Sequence, residues 1–328
     1  MPPLLKFTGA LATLIIAVNI HAAGEPAAMS KAEFDQMMLD ISNWGRWGKD
    51  DELGTLNLIT AKKRREAAGL VRLGETVSMS LDLNKTPDDL NANPFKHELS
   101  RGEFSGHQVA GDRYEVEYHG FAHSHMDGLP HFAHKGFFYN GVPYSAAKSG
   151  GSEKLGIHNA GINGVFTRGV IVDMPRFLGL DYLDPGTALT AEDFEAWEKA
   201  HGVKIASGDV LLVRTGRWAK VAQDGQWNFL EKAAGSHASL ASWLKERDVA
   251  VIGCDGVSDV MPSGVEGLVN PLHELVLVGL GMPILDNLDL EAVATKAAEL
   301  NRATFLFVGA PLRVPGGTGS PMNPLAVF

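Results

Sequence analysis

Five of the chain's twelve histidines fall within sixteen residues, from His119 to His134. The run reads His119-Gly-Phe121-Ala-His123-Ser-His125-Met-Asp127-Gly-Leu-Pro-His131-Phe132-Ala-His134. Neutral imidazole nitrogens beside a carboxylate suit Zn²⁺, Mn²⁺ or Fe²⁺. If His119 to Asp127 is extended, positions 119, 121, 123, 125 and 127 share one face. His119, His123, His125 and Asp127 then point the same way, and burying them without a cation leaves several polar groups in need of partners. Gly128 and Pro130 break the strand, so the chain can turn and return His131 to the same centre. A single histidine is more often a core or surface residue. The grouping is what predicts a metal site. Aromatic residues flank the run: Trp44, Trp47, Phe121, Phe132, Phe137, Phe138 and Tyr139. Most of them suit core packing, and Phe121 and Phe132 are expected to wall a flat apolar pocket.

The elements that must position this run alternate between helix and strand. Ser30-Lys31-Ala32-Glu33 is a capping box, and Phe34, Met37, Met38 and Ile41 follow with helical spacing. Thr60 caps a second helix that ends near Gly69. Thr76 to Leu81 alternates as a strand. Apolar runs at 169–174, 209–215, 249–254 and 304–308 suit buried strands. Helical patterns fill 190–201, 236–247 and 290–302. Such alternation predicts an α/β fold. The segment from Asn84 to Arg113 is polar and is expected to be an irregular loop, functional or mobile.

Composition narrows the function. The 328 residues carry 29 Lys+Arg and 39 Asp+Glu, a formal net charge of −10, with 45% hydrophobic and 21% charged residues. Disorder is excluded. The acidic balance predicts no nucleic-acid partner and no anionic membrane surface as partner. Cys254 is the only cysteine, so a disulfide framework is excluded. It follows an apolar run and is expected to be buried rather than nucleophilic. No G-x-S-x-G is present, and Pro315 to Pro321 is Gly-rich without the GK[ST] of a phosphate loop. That segment reads as a tight loop near the site. Residues 1–23 combine a short basic start, an apolar stretch and small residues at a cleavage site. They predict a secretory signal, hence a periplasmic or secreted protein, with 24–328 as one domain.

His125-x-Asp127-x-x-x-His131 resembles the metal signature H-x-G-T-H-x-D-x-P-x-H of the cyclase family of hydrolases, which includes kynurenine formamidase and isatin hydrolase. The proline falls one place later, at Pro130, and the family's first histidine falls on Phe121. Either His119 or His123 would have to replace it. His119-Gly120, Ser124-His125 and Gly136-Phe-Phe-Tyr139-Asn140-Gly141 match a related form in longer members. So do Trp47-Gly48-x-x-Asp51-Glu52-Leu53-Gly54-Thr55-Leu56-Asn57 near the start, Gly208 to Gly216, and Gly253 to Asp259 ahead of Pro271-Leu272-His273.

The resemblance implies a swivelling β/β/α fold with a mixed central sheet flanked by helices, and a homodimer or homotetramer. It implies His273 as a further ligand, with Asp286 where related enzymes carry a glutamate. It gives His131 the part of proton donor and acceptor and Trp47 that of a substrate contact. The expected activity is metal-dependent hydrolysis of an amide, either an arylformamide or a cyclic amide, using one or two Zn²⁺ or Mn²⁺ ions. A lactonase or cyclase-type lyase at the same centre is the enzymatic alternative. A periplasmic metal-binding protein without turnover is the alternative from another class.

Overall fold

The sheet that carries the site follows from how its strands are covered. The computed structural model describes residues 28–328, so the segment read as a secretory signal lies outside the described residues. In chain order the sheet strands are β1 (Thr76–Ser78), β2 (His125–Asp127), β3 (Val165–Asp173), β4 (Val210–Arg214) and β5 (Val251–Cys254). They continue with β6 (Ile284–Asp286), β7 (Thr304–Gly309), β8 (Gly319–Pro321) and β9 (Leu325–Val327). Among the described residues they form one mixed sheet in the order β1-β9-β7-β3-β4-β5-β6-β2-β8. The four central neighbours β3 to β6 run parallel, and the strands outside them pair antiparallel. Those central strands are nearly continuous apolar runs because helices cover both their faces.

One face packs Val170, Val172, Leu211, Val213, Ile252, Cys254 and Ile284 against α1 (Lys31–Asp40), α3 (Ala191–His201) and α5 (Leu240–Arg247). The helical stretch 271–280 belongs to the same layer through Leu272, Leu275, Val276, Leu277 and Val278. The other face packs Ile171, Val210, Leu212, Val251, Leu285 and Met126 against α7 (Glu291–Glu299), which supplies Val293, Ala294 and Ala297. α2 (Ala61–Ala68) is capped by Thr60, whose Oγ1 accepts from Lys63 N–H at 3.1 Å, and it ends at Gly69 as its sequence predicts. The Ser30 capping box of α1 is formed, and Phe34 and Met38 are buried.

This alternation decides where the chemistry sits. Met126 and Leu285 face α7, so His125, Asp127 and Asp286 face the layer of 271–280. Pairing of β2 with β6 places Asp286 directly opposite His125, and directly opposed side chains lie on one face. α6 (Pro271–Glu274) opens the 271–280 stretch and runs on into a wider π turn, Leu275–Leu280, a feature frequent at functional sites. His273 lies on α6. The histidine run and the late residues, far apart in sequence, therefore meet across two adjacent strands and one helix.

Two local expectations are corrected. The segment 84–113 is not wholly irregular: Lys96–Phe104 pairs antiparallel with His107–Glu115 through Ser105-Gly106, both at positive φ. Its residues are exposed on both faces, so no apolar alternation marked it. The extended run from His119 to Asp127 is likewise shorter than expected, since only His125–Asp127 joins the sheet. Gly120 sits at φ +130°, and the carbonyls of Gly120 and Phe121 are taken by side chains rather than by a neighbouring strand. The strand expected over Thr76–Leu81 ends at Ser78.

Candidate metal centre

Asp127 is the hub. Its Oδ1 lies 2.8 Å from His119 Nδ1, 3.3 Å from His125 Nε2 and 3.8 Å from His131 Nε2, and its Oδ2 lies 3.5 Å from His273 Nε2. His273 Nε2 is also 3.0 Å from Asp286 Oδ2. His119, Asp127 and His131 form one set of donor atoms within 4.8 Å of one another, and His125, Asp127 and Asp286 form another. His125, Asp127, His273 and Asp286 are buried, while His119 and His131 are partly open to solvent.

Each of three imidazoles is turned by the hydrogen bond on its other nitrogen. His125 Nδ1–H donates to His123 O at 2.7 Å, which leaves Nε2 facing Asp127. His273 Nδ1–H donates to Asp259 Oδ2 at 2.5 Å, which leaves Nε2 facing both Asp286 and Asp127. His119 Nε2–H donates to Thr318 Oγ1 at 2.9 Å, which leaves Nδ1 facing Asp127. Ligand histidines are ordinarily oriented in this way. Asp259 also accepts from the N–H groups of Leu272 and His273, so one carboxylate both caps α6 and aims its histidine. Ser258 Oγ–H donates to Asp286 Oδ1 at 3.1 Å.

These residues fit a divalent cation. Asp127 Oδ1 and His119 Nδ1 are buried 2.8 Å apart, and neither has a hydrogen-bond partner other than this one contact. A buried carboxylate crowded by imidazoles that point lone pairs at it is costly, and a cation shared with those imidazoles removes that cost. The charges respond accordingly. Burial resists ionisation of Asp127, but His125, His119 and His273 outweigh it and hold the carboxyl well below its usual range. Burial opposes charge on His273 too, yet Asp286, Asp127 and Asp259 hold it well above the ordinary imidazole value. His125 is raised in the same way, Asp127 outweighing burial. His131 behaves oppositely: burial pushes it down to about 4 against the pull of Asp127. It is therefore a neutral imidazole at neutral pH, stacked 3.8 Å from the His119 ring at 3°.

The sign of pH dependence follows. The unfolded imidazole releases its proton near 6.5, below the raised values of His125 and His273. In the metal-free protein their contribution to stability is complete below about 6.5 and is lost as pH rises through those values. A cation competes with the same protons, so its affinity climbs over that range. Thermal melts between pH 6 and 9 are expected to diverge, chelator-treated protein weakening with pH while metal-loaded protein gains. Parallel profiles would contradict the assignment.

Sequence-predicted residues fall into two groups. His119, His125, Asp127, His131, His273 and Asp286 converge. His123 does not: it is buried beside His125 but belongs to neither donor set, and its ring nitrogens have no hydrogen-bond partner. Phe132 lies against the centre, its ring 5.0 Å from His131 and 5.3 Å from His273. Phe121 packs instead on Phe229, at 5.9 Å. Trp47 has the guanidinium of Arg46 over its ring, and Arg46 is paired with Asp248. His134 bonds Glu274. Cys254 is buried, its thiol pushed up by burial, and it accepts from the N–H groups of Gly256 and Ser258.

The orienting roles of Asp259, Ser258 and Thr318 were not apparent from spacing. Their signals were present: Asp259 ends the Gly253–Asp259 segment, and Thr318 sits in the Gly-rich loop that β8 lays beside β2. Asp259→Asn is expected to weaken divalent-metal affinity by about 10–100-fold. Competition with a fluorescent chelator measures this.

Comparison with known proteins agrees with this geometry. The family model "Putative cyclase" matches residues 71–259. An isatin hydrolase from Roseibium aggregatum is 30% identical over 153 residues, which is 44% of this chain and 54% of that protein. The chain thus spans about half the length of this curated relative. A crystal structure of a novel cyclase superposes with a TM-score of 0.80 at 29% identity, covering 89% of this chain and 99% of that one. Isatin hydrolase A from Ralstonia solanacearum superposes with a TM-score of 0.54 at 22% identity over 80% of this chain and 93% of its own, a likeness of fold. With more than half its length matched and its sheet shared with these structures, the chain belongs to the cyclase family.

Proposed function

We propose that this chain is an exported, metal-dependent hydrolase that cleaves the C–N bond of an arylformamide or a cyclic amide. The observation that carries the reading is the buried Asp127 carboxylate, whose Oδ1 faces His119, His125 and His131 and whose Oδ2 faces His273, all within 3.8 Å. His119, His125, Asp127, His273 and Asp286 would hold the ion, Zn²⁺ or Mn²⁺. When bound, a divalent cation there supplies Lewis acidity and lowers the pKa of its water from about 15.7 to about 7.

The chain's own residues do the rest. His131 is the most distant of the four imidazoles from Asp127, at 3.8 Å, and it is uncharged at neutral pH. It accepts the proton of the attacking water at Nε2 and returns it to the departing nitrogen. A neutral imidazole performs the first half of this exchange and the resulting imidazolium the second. Phe132, packed on both His131 and His273, presents an apolar ring to a flat substrate and shields the proton transfer from water. Asp259 holds His273 in one tautomer throughout.

Export rests on the N-terminal signal pattern, and the relative named isatin hydrolase supports a cyclic amide as one substrate class. Among the described residues no helix is long and apolar enough to cross a membrane. A homodimer or homotetramer is part of the proposal. The test is a panel of N-formylkynurenine, isatin, simple aryl amides and aryl lactones, assayed with added Zn²⁺ or Mn²⁺. Release of amine and carboxylate from an amide supports the proposal. Turnover of lactones alone selects the alternative chemistry. Stoichiometric metal with no turnover of any member selects a metal-binding protein.

A further inference from the structure

α4 (Arg217–Asp224) begins with a buried arginine whose guanidinium makes no ion pair among the described residues. It lies 4.0 Å from the ring centroid of Phe229 and 4.3 Å from that of Trp218. Its nitrogens donate to two uncharged oxygens instead, Nη1–H to Asn287 Oδ1 at 2.6 Å and Nη2–H to Phe121 O at 2.8 Å. Burial pushes the guanidinium down to about 10, which still leaves it charged at neutral pH. Asp255, Asp286 and Asp88 favour its charge at longer range, but a buried cation with no carboxylate in direct contact is expensive to keep, so its geometry calls for a reason.

Its two acceptors supply one. Asn287 directly follows Asp286, and its backbone adopts φ +54°. Its Nδ2–H donates to Gly120 O at 2.7 Å, and its carbonyl accepts from Ser124 Oγ–H at 2.6 Å. The carbonyls of Gly120 and Phe121, which a sheet partner would otherwise hold, are therefore bound by Asn287 and Arg217. This is the bend that separates His119 from β2 and turns it back onto Asp127.

We propose that Arg217 is a positioning residue for the metal centre: with Asn287 it fixes the bend at 120–121 that delivers His119. The inference rests on the metal reading of the site. The forked guanidinium matters because it meets an amide oxygen and a backbone carbonyl together, which a lysine cannot reproduce.

Co²⁺ titration of the full chain, followed by visible absorption, tests this in a double-mutant cycle with His119→Ala. Arg217→Met is expected to weaken Co²⁺ binding by about 10–100-fold, as loss of a ligand's support does. It should also move the absorption bands toward those of His119→Ala. In the His119→Ala background the same change is expected to cost less than about 3-fold, because residues acting through one another are not additive. Arg217→Lys, which keeps the buried charge but loses the planar fork, is expected to show an intermediate loss. It completes the cycle if the methionine variant does not fold. Equal losses with and without His119, or variants that bind Co²⁺ like the wild type, overturn the inference alone. A wild-type protein that binds no Co²⁺ overturns the metal reading and this inference with it.

Discussion

Asp127→Asn is expected to weaken divalent-metal binding by orders of magnitude, and to remove nearly all activity at metal concentrations that only just saturate the wild type. The carboxylate touches four imidazoles, at 2.8 to 3.8 Å, and is the one group shared by both donor sets. Asparagine keeps its shape but removes the charge that draws in a cation. Removing one partner from a buried charged set costs roughly 3–5 kcal/mol, which taken as lost affinity is on the order of 10²–10⁴-fold. The fold is expected to survive, because His125 and His273 can simply release their protons. Thermal melts separate the two effects. A ligand present at a thousand times its Kd stabilises by about 4 kcal/mol, which raises Tm by on the order of 10 °C. The wild type should gain this on addition of Zn²⁺ or Mn²⁺, and Asp127→Asn should gain no more than about 1.4 kcal/mol at the same concentration.

His131→Ala is expected to leave metal stoichiometry intact while lowering kcat by about 10²–10⁴-fold, the usual contribution of a proton-transfer group. It faces the site as a neutral ring and stands furthest from Asp127. Metal content of the purified variant, measured beside kcat on the best substrate of the panel, distinguishes this role from that of a ligand. Full turnover would remove His131 from the mechanism. Loss of the metal would make it a ligand. Because its ring stacks on His119, a modest fall in metal affinity is compatible with the assignment.

How far the sequence anticipates this site depends on the range of the interaction involved. His125 and Asp127 share a face through the two-residue period of a strand, a strictly local rule, and the rule held for them. The same rule extended to His119 and His123 did not hold. The backbone leaves the strand at Gly120, and what holds it there are Arg217 and Asn287, about 100 and 170 residues away. No local pattern encodes that choice, so spacing alone leaves His119 and His123 as alternatives and the bend selects His119.

His273 and Asp286 came from the family resemblance alone. Their approach to His125 depends on the register of β6 against β2, which periodicity does not reveal. The parallel core strands were legible because burial on both faces writes long apolar runs into them. The hairpin at 96–115 was not, since its exposed faces carry no such mark. Trp47, whose part as a substrate contact rests on the resemblance, has the Arg46 guanidinium over its ring.

The most direct measurement is anomalous diffraction from crystals grown with Mn²⁺, collected where the ion scatters strongly. A peak bounded by His119, His125, Asp127, His273 and Asp286, absent from Asp127→Asn crystals, is the predicted result. A fully loaded protein whose anomalous peak lies elsewhere, or a crystal with no peak between β2, β6 and α6, would contradict the account.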